Sequence, residues 1–199
     1  MINITNKFSV IATMSGTSMD GLDIAYVQYY RKKEKWQFKL IQAETFFYSK
    51  DIKINFIQAY KKELSINFLD EKFGHLISDF IISFIKKHDV SVDLISSHGH
   101  TIFHEPMKGF TTQIGSGSII SKRLGLPVVC NFRQQDIDLG GQGAPLVPIG
   151  DRLLFSEFDA CLNLGGIANI SYEKHSSRFA FDICPCNILL NNIANQLGQ

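Results

Sequence analysis

A turn rich in glycine, hydroxyl and carboxylate groups occupies residues 14–23 (MSGTSMDGLD). Glycine lets backbone N–H groups approach a ligand closely, and such groups together with small hydroxyls can surround phosphate oxygens. Asp20 and Asp23 are carboxylates that could hold Mg²⁺, directly or through water. The Gly-x-x-x-x-Gly-Lys-Ser/Thr pattern of a P-loop is absent. The segment is therefore typical of a phosphate-binding turn, and also of a polar hairpin that has no ligand.

A second turn of similar composition occurs at residues 163–169 (NLGGIAN). Its adjacent glycines again allow close approach of backbone N–H groups to an anion. Two such turns facing each other across a cleft would hold the phosphates of a nucleoside triphosphate. The pair therefore favours nucleotide binding more strongly than either turn does alone.

Three histidines, His98, His100 and His104, follow one another with the spacing H-x-H-x-x-x-H. A zinc site needs three or four converging ligands, and no cysteine lies near these histidines in the sequence. Hydrogen bonding to a polar substrate, or structural capping, is favoured over zinc. Gln113, within residues 111–115 (TTQIG), adds amide and hydroxyl groups that suit sugar hydroxyls or an N-acetyl group. A hairpin turned to solvent is the alternative for that segment.

Polar groups are also dense at residues 133–150, where no helical or strand period is evident, so a functional loop or an interdomain connection is predicted there. Arg133 could pair with a carboxylate through two parallel hydrogen bonds, and Asp136 lies close to it in sequence. Asp182 comes at the end of a predicted strand, where a carboxylate facing a cleft could act as a general base. An exposed structural aspartate is the alternative for Asp182.

Hydrophobic periodicity predicts the elements that would position these residues. Before residue 133, strands are predicted at 8–14, 22–30, 36–48, 93–97 and 127–132. A long helix with apolar positions between 69 and 85 is predicted to begin after Ser65, and a second helix covers 114–124. The order β-β-β-α-β-α-β predicts an α/β fold with a mixed sheet and helices.

The opening pattern of three strands then begins again. Strands are predicted at 158–164, 167–172 and 178–183, and a helix at 187–197. The sequence therefore predicts a first domain at residues 1–150 and the start of a second, related domain at residues 151–199. An incomplete second sheet would expose an unpaired edge and an uncovered face.

Composition narrows the class of protein. The 199 residues are 45% hydrophobic and 20% charged, with a formal net charge of +1. That balance gives no electrostatic footprint for nucleic acid or an anionic membrane. The amino terminus lacks the layout of a signal peptide, and no apolar run is long enough to span a bilayer. We therefore expect a cytoplasmic protein whose partner is a small molecule rather than nucleic acid or membrane.

These motifs, in this order, resemble those of the anhydro-N-acetylmuramic acid kinases. The resemblance extends over essentially the whole chain, and MSGTSMDG and GGQGAPLVP are its most specific parts. The matching segments are residues 14–23, 97–104 (SHGHTIFH), 113–115 (QIG), 131–136 (NFRQQD), 140–148 (GGQGAPLVP) and 163–169, followed by Asp182, Pro185 and Asn187.

The resemblance implies a fold and a reaction. The fold would be that of the actin, Hsp70 and sugar-kinase superfamily, with two ribonuclease-H-like domains around a nucleotide cleft. The reaction would open 1,6-anhydro-N-acetylmuramic acid with water and phosphorylate O6 from Mg·ATP, giving N-acetylmuramic acid 6-phosphate in peptidoglycan recycling. A homodimer would also be plausible on the same resemblance.

Residue roles carry over by motif. Asp182 would activate the attacking water, and the sugar pocket would include His98, His100, Gln113, Arg133 and Asp136. ATP would be bound by Gly16, Thr17, Ser18, Met19, Asp20, Gly21, Leu22, Asp23, Asn163, Gly165 and Gly166.

Two departures from the family pattern bear on these expectations. Cys184 and Cys186 replace the two glycines of the usual Asp-Thr-Gly-Pro-Gly-Asn motif, which removes backbone freedom beside the phosphate-binding backbone. Family members also run well beyond 199 residues, so we expect the 199-residue chain alone to be inactive. A non-catalytic interaction module and a kinase for another sugar are the alternative functions.

Overall fold

The computed structural model describes residues 7–32 and 35–198 of the chain. Within them the strands are β1 (Lys7–Ser15), β2 (Gly21–Lys32), β3 (Lys35–Phe47), β4 (Leu94–Glu105), β5 (Phe110–Ile114), β6 (Val128–Val129), β7 (Ala160–Leu164), β8 (Ile167–Lys174) and β9 (Ser177–Pro185). The helices are α1 (Lys50–Tyr60), α2 (Ile66–His88), α3 (Gly117–Leu124), α4 (Phe132–Asp138), α5 (Val147–Leu154) and α6 (Asn187–Gln196), with a 3₁₀ turn at Pro106–Lys108. None of these helices is long and apolar enough to cross a membrane.

The larger sheet is mixed, as the sequence predicts. Its order is β3-β2-β1-β4-β5, and β6 also pairs with β4. The pairs β1–β2, β2–β3 and β4–β5 are antiparallel, whereas β1–β4 and β4–β6 are parallel. A second, three-stranded sheet has the order β7-β8-β9 and is antiparallel throughout. The chain is therefore a mixed α/β protein.

The chain divides into two compact units. The first consists of residues 7–15 and 19–143, and the second of residues 16–18 and 144–198. The tip of the β1–β2 turn thus groups with the second unit. The interpretation of these units as two related domains of one superfamily stays a prediction.

Helix α2 supplies the core of the first unit. Ser65 caps it by accepting a hydrogen bond from the Phe68 backbone N–H, and three basic residues in its last turn suit the negative end of the helix dipole. One face of α2 is apolar because its hydrophobic side chains recur every three or four residues. Burying each large side chain contributes about 1.5–3 kcal/mol. The fully buried members are Leu69, Phe73, Ile77, Ile81 and Phe84.

The second unit buries far less apolar surface. Among its described residues, Ala168 is the one buried hydrophobic residue. Leu164 and Leu197 expose 60% and 71% of their surface. The unit is held partly by polar groups, since the Asp151 carboxylate of α5 accepts a hydrogen bond from Ser171 and lies 3.7 Å from the Arg178 guanidinium.

The prediction that residues 133–150 lack helix and strand is wrong at both ends of the stretch, whereas the boundary between the two units, at residues 143 and 144, does fall within it. Helix α4 covers its first part and α5 its last part. Both helices are short, seven and eight residues, and each buries a single residue, Ile137 in α4 and Asp151 in α5. Helix α1 and strand β5 were likewise not predicted from the sequence, and β4 continues to Glu105 rather than ending at residue 97.

Candidate functional site

The β1–β2 turn is held at both ends by Tyr48. Its backbone N–H donates to the Asp20 carbonyl at 3.1 Å, and its hydroxyl donates to the Ser15 hydroxyl at 2.7 Å. Gly21 allows the close packing of β2 on β3, because a Cβ there would lie 2.6 Å from the Phe46 carbonyl oxygen. The turn itself therefore consists of residues 16–20.

The predicted ATP-binding residues differ in what they can offer a ligand. The side chain of Leu22 is fully buried in the core, so only its backbone could reach a ligand. Asp23 lies within β2 and its carboxylate accepts a hydrogen bond of 2.6 Å from Thr45. Thr17, Ser18 and Asp20 are exposed. The groups available to a ligand are thus concentrated at the tip of the turn.

The predicted magnesium ligands fit a site only in part. The Asp20 carboxylate is exposed and makes no hydrogen bond or ion pair within the described part of the chain. No cluster of three or more histidine, cysteine or acidic side chains that could hold a metal occurs among the described residues. Mg²⁺ commonly uses one or two carboxylates with waters and substrate phosphates, so Asp20 suits it better than Asp23 does.

The second glycine turn joins β7 to β8 and is tied to the start of α6. The Gly166 carbonyl accepts from the Cys186 backbone N–H at 2.9 Å, and the Gly165 carbonyl accepts from the Asn187 N–H at 3.1 Å. A Cβ on Gly166 would lie 3.2 Å from the Thr17 hydroxyl oxygen, within the same unit. A side chain at Gly166 would therefore require Thr17 and Ile188 to shift by a few tenths of an ångström.

Asp182 lies in β9, directly opposite Asn169 of β8. The register shifts between Ala168 and Asn169, so that Ile183 is an extra, bulged residue and Cys184 pairs with Ala168. Because neighbouring positions of β8 face opposite sides of the sheet, Asp182 and Cys184 also face opposite sides. Asp182 is exposed, which leaves its carboxylate accessible to solvent.

The cysteines that replace the family glycines cause no backbone strain of the left-handed type. Among described residues that have a positive φ, neither Cys184 nor Cys186 occurs. Cys186 precedes α6 with a φ of −125°, outside the left-handed region that favours glycine. Neither position therefore needs glycine in order to adopt a left-handed backbone.

Arg133 links several predicted sugar-binding residues. Its Nε donates to His98 Nε2 at 2.8 Å, and its Nη1 donates to the Gly143 carbonyl at 2.6 Å. The Gly143 N–H donates in turn to Asp136 at 2.7 Å. Arg133 therefore bonds an imidazole and a carbonyl, not the carboxylate that the sequence suggested as a partner, and together with Asp136 it fixes the loop at residues 140–143.

These bonds define the proton on His98. Its Nε2 accepts from Arg133, so its Nδ1 carries the proton and donates to the Gly99 carbonyl at 2.9 Å. Burial lowers the pKa of His98, with a smaller contribution from the Arg133 charge. The neutral ring is consequently available in one defined tautomer.

His98 and Gln113 line the same cavity of about 380 Å³ in the first unit. Asp70 of α2, which sequence reasoning missed, also lines it. The Asp70 carboxylate accepts the Gly115 N–H at 2.8 Å, and burial raises its pKa. The cavity thus combines an imidazole, an amide and a carboxyl group, which suits a ligand with several hydroxyls. The sequence signal that could have identified Asp70 is its position, because it is a carboxylate in the second turn of a mostly apolar helix.

His100 does not line that cavity. It is fully buried, and its ring stacks on Phe56 with centroids 4.1 Å apart. Its Nδ1 lies 2.8 Å from the Ser15 hydroxyl and its Nε2 lies 2.9 Å from the Tyr60 hydroxyl. Direct contact of His100 with a sugar stays a prediction, and both ring nitrogens already have partners. Sequence reasoning missed the two tyrosines, Tyr48 and Tyr60, that complete this cluster.

A family model described as anhydro-N-acetylmuramic acid kinase matches residues 8–199. The chain belongs to this family. Similar curated relatives carry the same description: one from Vibrio vulnificus (strain CMCP6) is 35% identical over 202 residues, covering 94% of this chain and 53% of its own length. One from Microcystis aeruginosa is 36% identical, covering 96% and 55%. This chain therefore spans about half the length of the curated relatives that it matches.

A weaker likeness is found among solved structures. The crystal structure of an Aquifex aeolicus member of the Ppx/GppA protein family aligns with a TM-score of 0.39 and 9% identity. The alignment covers 94% of this chain and 54% of the Aquifex aeolicus chain. A likeness at this level does not define the fold of the chain.

Proposed function

We propose that the protein is an ATP-dependent kinase that opens 1,6-anhydro-N-acetylmuramic acid and phosphorylates its O6. The observation that carries the proposal is the family match over residues 8–199. The product would be N-acetylmuramic acid 6-phosphate, formed during peptidoglycan recycling. The ribonuclease-H-like superfamily fold, with domains at residues 1–150 and from 151 onward, and a homodimeric state belong to the same proposal.

The nucleotide would be bound through its phosphates. The turn at residues 16–20 offers exposed hydroxyls and backbone N–H groups, and the glycine turn at 163–166 offers a second such backbone. Asp20 would hold Mg²⁺, which neutralises phosphate charge. Phosphoryl transfer depends mainly on positioning and charge neutralisation, so these groups supply what that step requires.

The sugar would be bound by the cavity that His98 and Gln113 line. The Nδ1 proton and Nε2 lone pair of His98 are both engaged, so the remaining hydrogen-bonding capacity of the lining lies in side chains such as Gln113, Asp70, Asn67 and Asn131. Arg133 and Asp136 would act indirectly, because they fix His98 and the loop at 140–143.

Asp182 would act as the general base. Its carboxylate takes a proton from water, the water oxygen bonds to the anomeric carbon, and the C1–O6 bond breaks with its electron pair on O6. The O6 oxygen then attacks the γ-phosphorus, and ADP leaves with the electron pair of the broken P–O bond. The exposure of Asp182 supports this role, since the attacking water must reach it.

A direct assay tests the proposal. The protein at its natural length would be incubated with ATP, Mg²⁺ and 1,6-anhydro-N-acetylmuramic acid, with ADP release and sugar phosphate both measured. We expect a sugar 6-phosphate in amounts equal to ADP, and no product from glucose or open N-acetylmuramic acid. Equal turnover with an open sugar would instead indicate a kinase of another specificity, and no ATP consumption would indicate a non-catalytic module.

A further inference from the structure

A continuous series of hydrogen bonds runs through the core of the first unit from Tyr48 to Tyr60. The Tyr48 hydroxyl donates to Ser15 at 2.7 Å, and Ser15 lies 2.8 Å from His100 Nδ1. On the other side of the ring, Nε2 lies 2.9 Å from the Tyr60 hydroxyl, which donates to the Thr101 carbonyl at 2.8 Å. Ser15 exposes 2% of its surface and His100 exposes none.

With the Tyr60 hydroxyl proton on the Thr101 carbonyl, the directions of the other bonds in the series follow. The Tyr60 hydroxyl proton is used on the Thr101 carbonyl, so its oxygen accepts the Nε2 proton of His100. His100 Nδ1 must then accept from Ser15, whose oxygen accepts from Tyr48. The Ser15 and Tyr60 hydroxyls each donate and accept, and the Tyr48 hydroxyl donates, so that every polar atom of the series has a partner. Aligned bonds of this kind strengthen one another in a low-dielectric interior.

A bulge in β4 places His100 in this series. Thr13 pairs with Ser97, and Ser15 pairs with His100, so two steps along β1 match three steps along β4. Gly99 takes up the extra residue with a φ of 68°. His100 therefore faces the same side of the sheet as Ser97, whereas regular alternation would turn it to the opposite side.

We propose that Tyr48, Ser15, His100 and Tyr60 are positioning residues that hold the turn at residues 16–20 in its nucleotide-binding conformation. Ser15 is the last residue before the turn. Tyr48 bonds Ser15 through its hydroxyl and Asp20, at the other end of the turn, through its backbone. The series thereby couples both ends of the turn to a rigid core, and it rests on the proposed function of the turn in ATP binding.

The test compares Tyr48→Phe with Tyr26→Phe. Both tyrosines are 6% exposed, and Tyr26 donates instead to the Ser91 carbonyl, away from the turn. Losing one hydrogen bond of roughly 1 kcal/mol should raise the KM for ATP about fivefold in Tyr48→Phe, with the KM for the sugar within about twofold of wild type. Tyr26→Phe should change neither constant. Equal rises in both constants, or no rise for ATP, would overturn the proposal.

A second measurement does not depend on kinase activity. Hydrogen exchange of the backbone N–H groups at residues 16–20 should quicken about fivefold in Tyr48→Phe and stay unchanged in Tyr26→Phe. If wild-type protein consumes no ATP yet exchange responds in this way, the proposed function fails and the positioning of the turn stands. Unchanged exchange in Tyr48→Phe would sink the positioning role whether or not the protein is a kinase.

The direction of the series has its own spectroscopic signature. Nitrogen-15 chemical shifts of the His100 ring should show a neutral imidazole protonated on Nε2 at neutral pH, and His98 should show the opposite tautomer, protonated on Nδ1. In Tyr60→Phe the His100 ring should lose its single tautomer while His98 keeps its own. A His100 proton on Nδ1 in wild-type protein would contradict the series.

Discussion

At the scale of single residues, Asp182 is the residue proposed to take part directly in the reaction, as the general base. It is exposed beside a bulge in β9, opposite Asn169. If it removes the proton from water, Asp182→Asn should lower kcat by about 10²–10⁴-fold, because an amide cannot act as a base. The dissociation constant for ATP should stay within about twofold, measured by calorimetry. Asp159→Asn, at another exposed aspartate of the second unit, is the matched control, and wild-type turnover in Asp182→Asn would remove Asp182 from the base role.

His100 predicts a pH dependence of stability. Burial, with a smaller contribution from the neighbouring His98, lowers its pKa from the 6.5 of an exposed imidazole to about 4. Between pH 6.5 and 4 the unfolded chain therefore binds a proton that the folded chain does not. The free energy of unfolding should fall by up to roughly 3 kcal/mol as pH falls through this range, and be regained above it. The groups facing the ring, Tyr48 and Tyr60, stay neutral throughout because burial raises their pKa values.

The fluorescence of Trp36, which lies in β3, reports this unfolding in the first unit. His100→Gln should flatten the pH dependence, because a glutamine amide can accept from Ser15 and donate to Tyr60 without titrating. His75→Gln, at an exposed position of α2, should leave the dependence unchanged. Identical slopes in wild type and His100→Gln would contradict the assignment.

The residue types near the sites were visible in the sequence, but their arrangement was not. His98 and His100 are two apart, so regular strand alternation places them on one face, and both were assigned to the sugar pocket. The bulge at Gly99 separates them, with His98 at the cavity and His100 in the core. Asp70 and Tyr48 were missed because their roles depend on contacts between distant segments of the chain.

At the scale of elements, the β4 bulge places His98 at the cavity and His100 in the buried series of hydrogen bonds. An added Cβ at Gly99 would lie within van der Waals overlap of the Ile114 carbonyl oxygen, and Gly99 also has a positive φ. Gly109 has a similar φ of 78° but open space around it. Gly109→Ala should therefore cost about 1–2 kcal/mol of stability, and Gly99→Ala about 1–3 kcal/mol more, measured by denaturant unfolding. Equal costs would show that β4 tolerates the side chain.

Helices and strands with a strong hydrophobic periodicity are predicted well from the sequence, whereas the short helices are not. The prediction of α2 from its apolar face and its Ser65 cap is confirmed. The three opening strands are confirmed to within two residues at each end. Helices α4 and α5 escape prediction because they are only seven and eight residues long and lie beside the glycine- and proline-rich residues 139–146, which are typical of a loop.

At the scale of the whole molecule, the two units differ in how much apolar surface they bury. The first contains the aromatic and aliphatic core around α2, whereas the described part of the second buries Ala168 alone among hydrophobic residues. Because burial of apolar surface is the main source of stability, protection should be unequal. In the 199-residue chain, hydrogen exchange should be slow for β1, β4 and α2 and at least about 10²-fold faster for β7–β9. Equal protection would contradict this division.

Isotope labelling tests the proposed reaction most directly. Protein at its natural length would convert 1,6-anhydro-N-acetylmuramic acid with ATP in water enriched in oxygen-18. If water attacks the anomeric carbon and O6 attacks the γ-phosphorus, as proposed, one labelled oxygen should be found at C1 and none in the phosphate group, read by mass spectrometry after rapid reduction. Phosphorylation without label at C1, label in the phosphate, or absence of an ATP-dependent product would contradict the account.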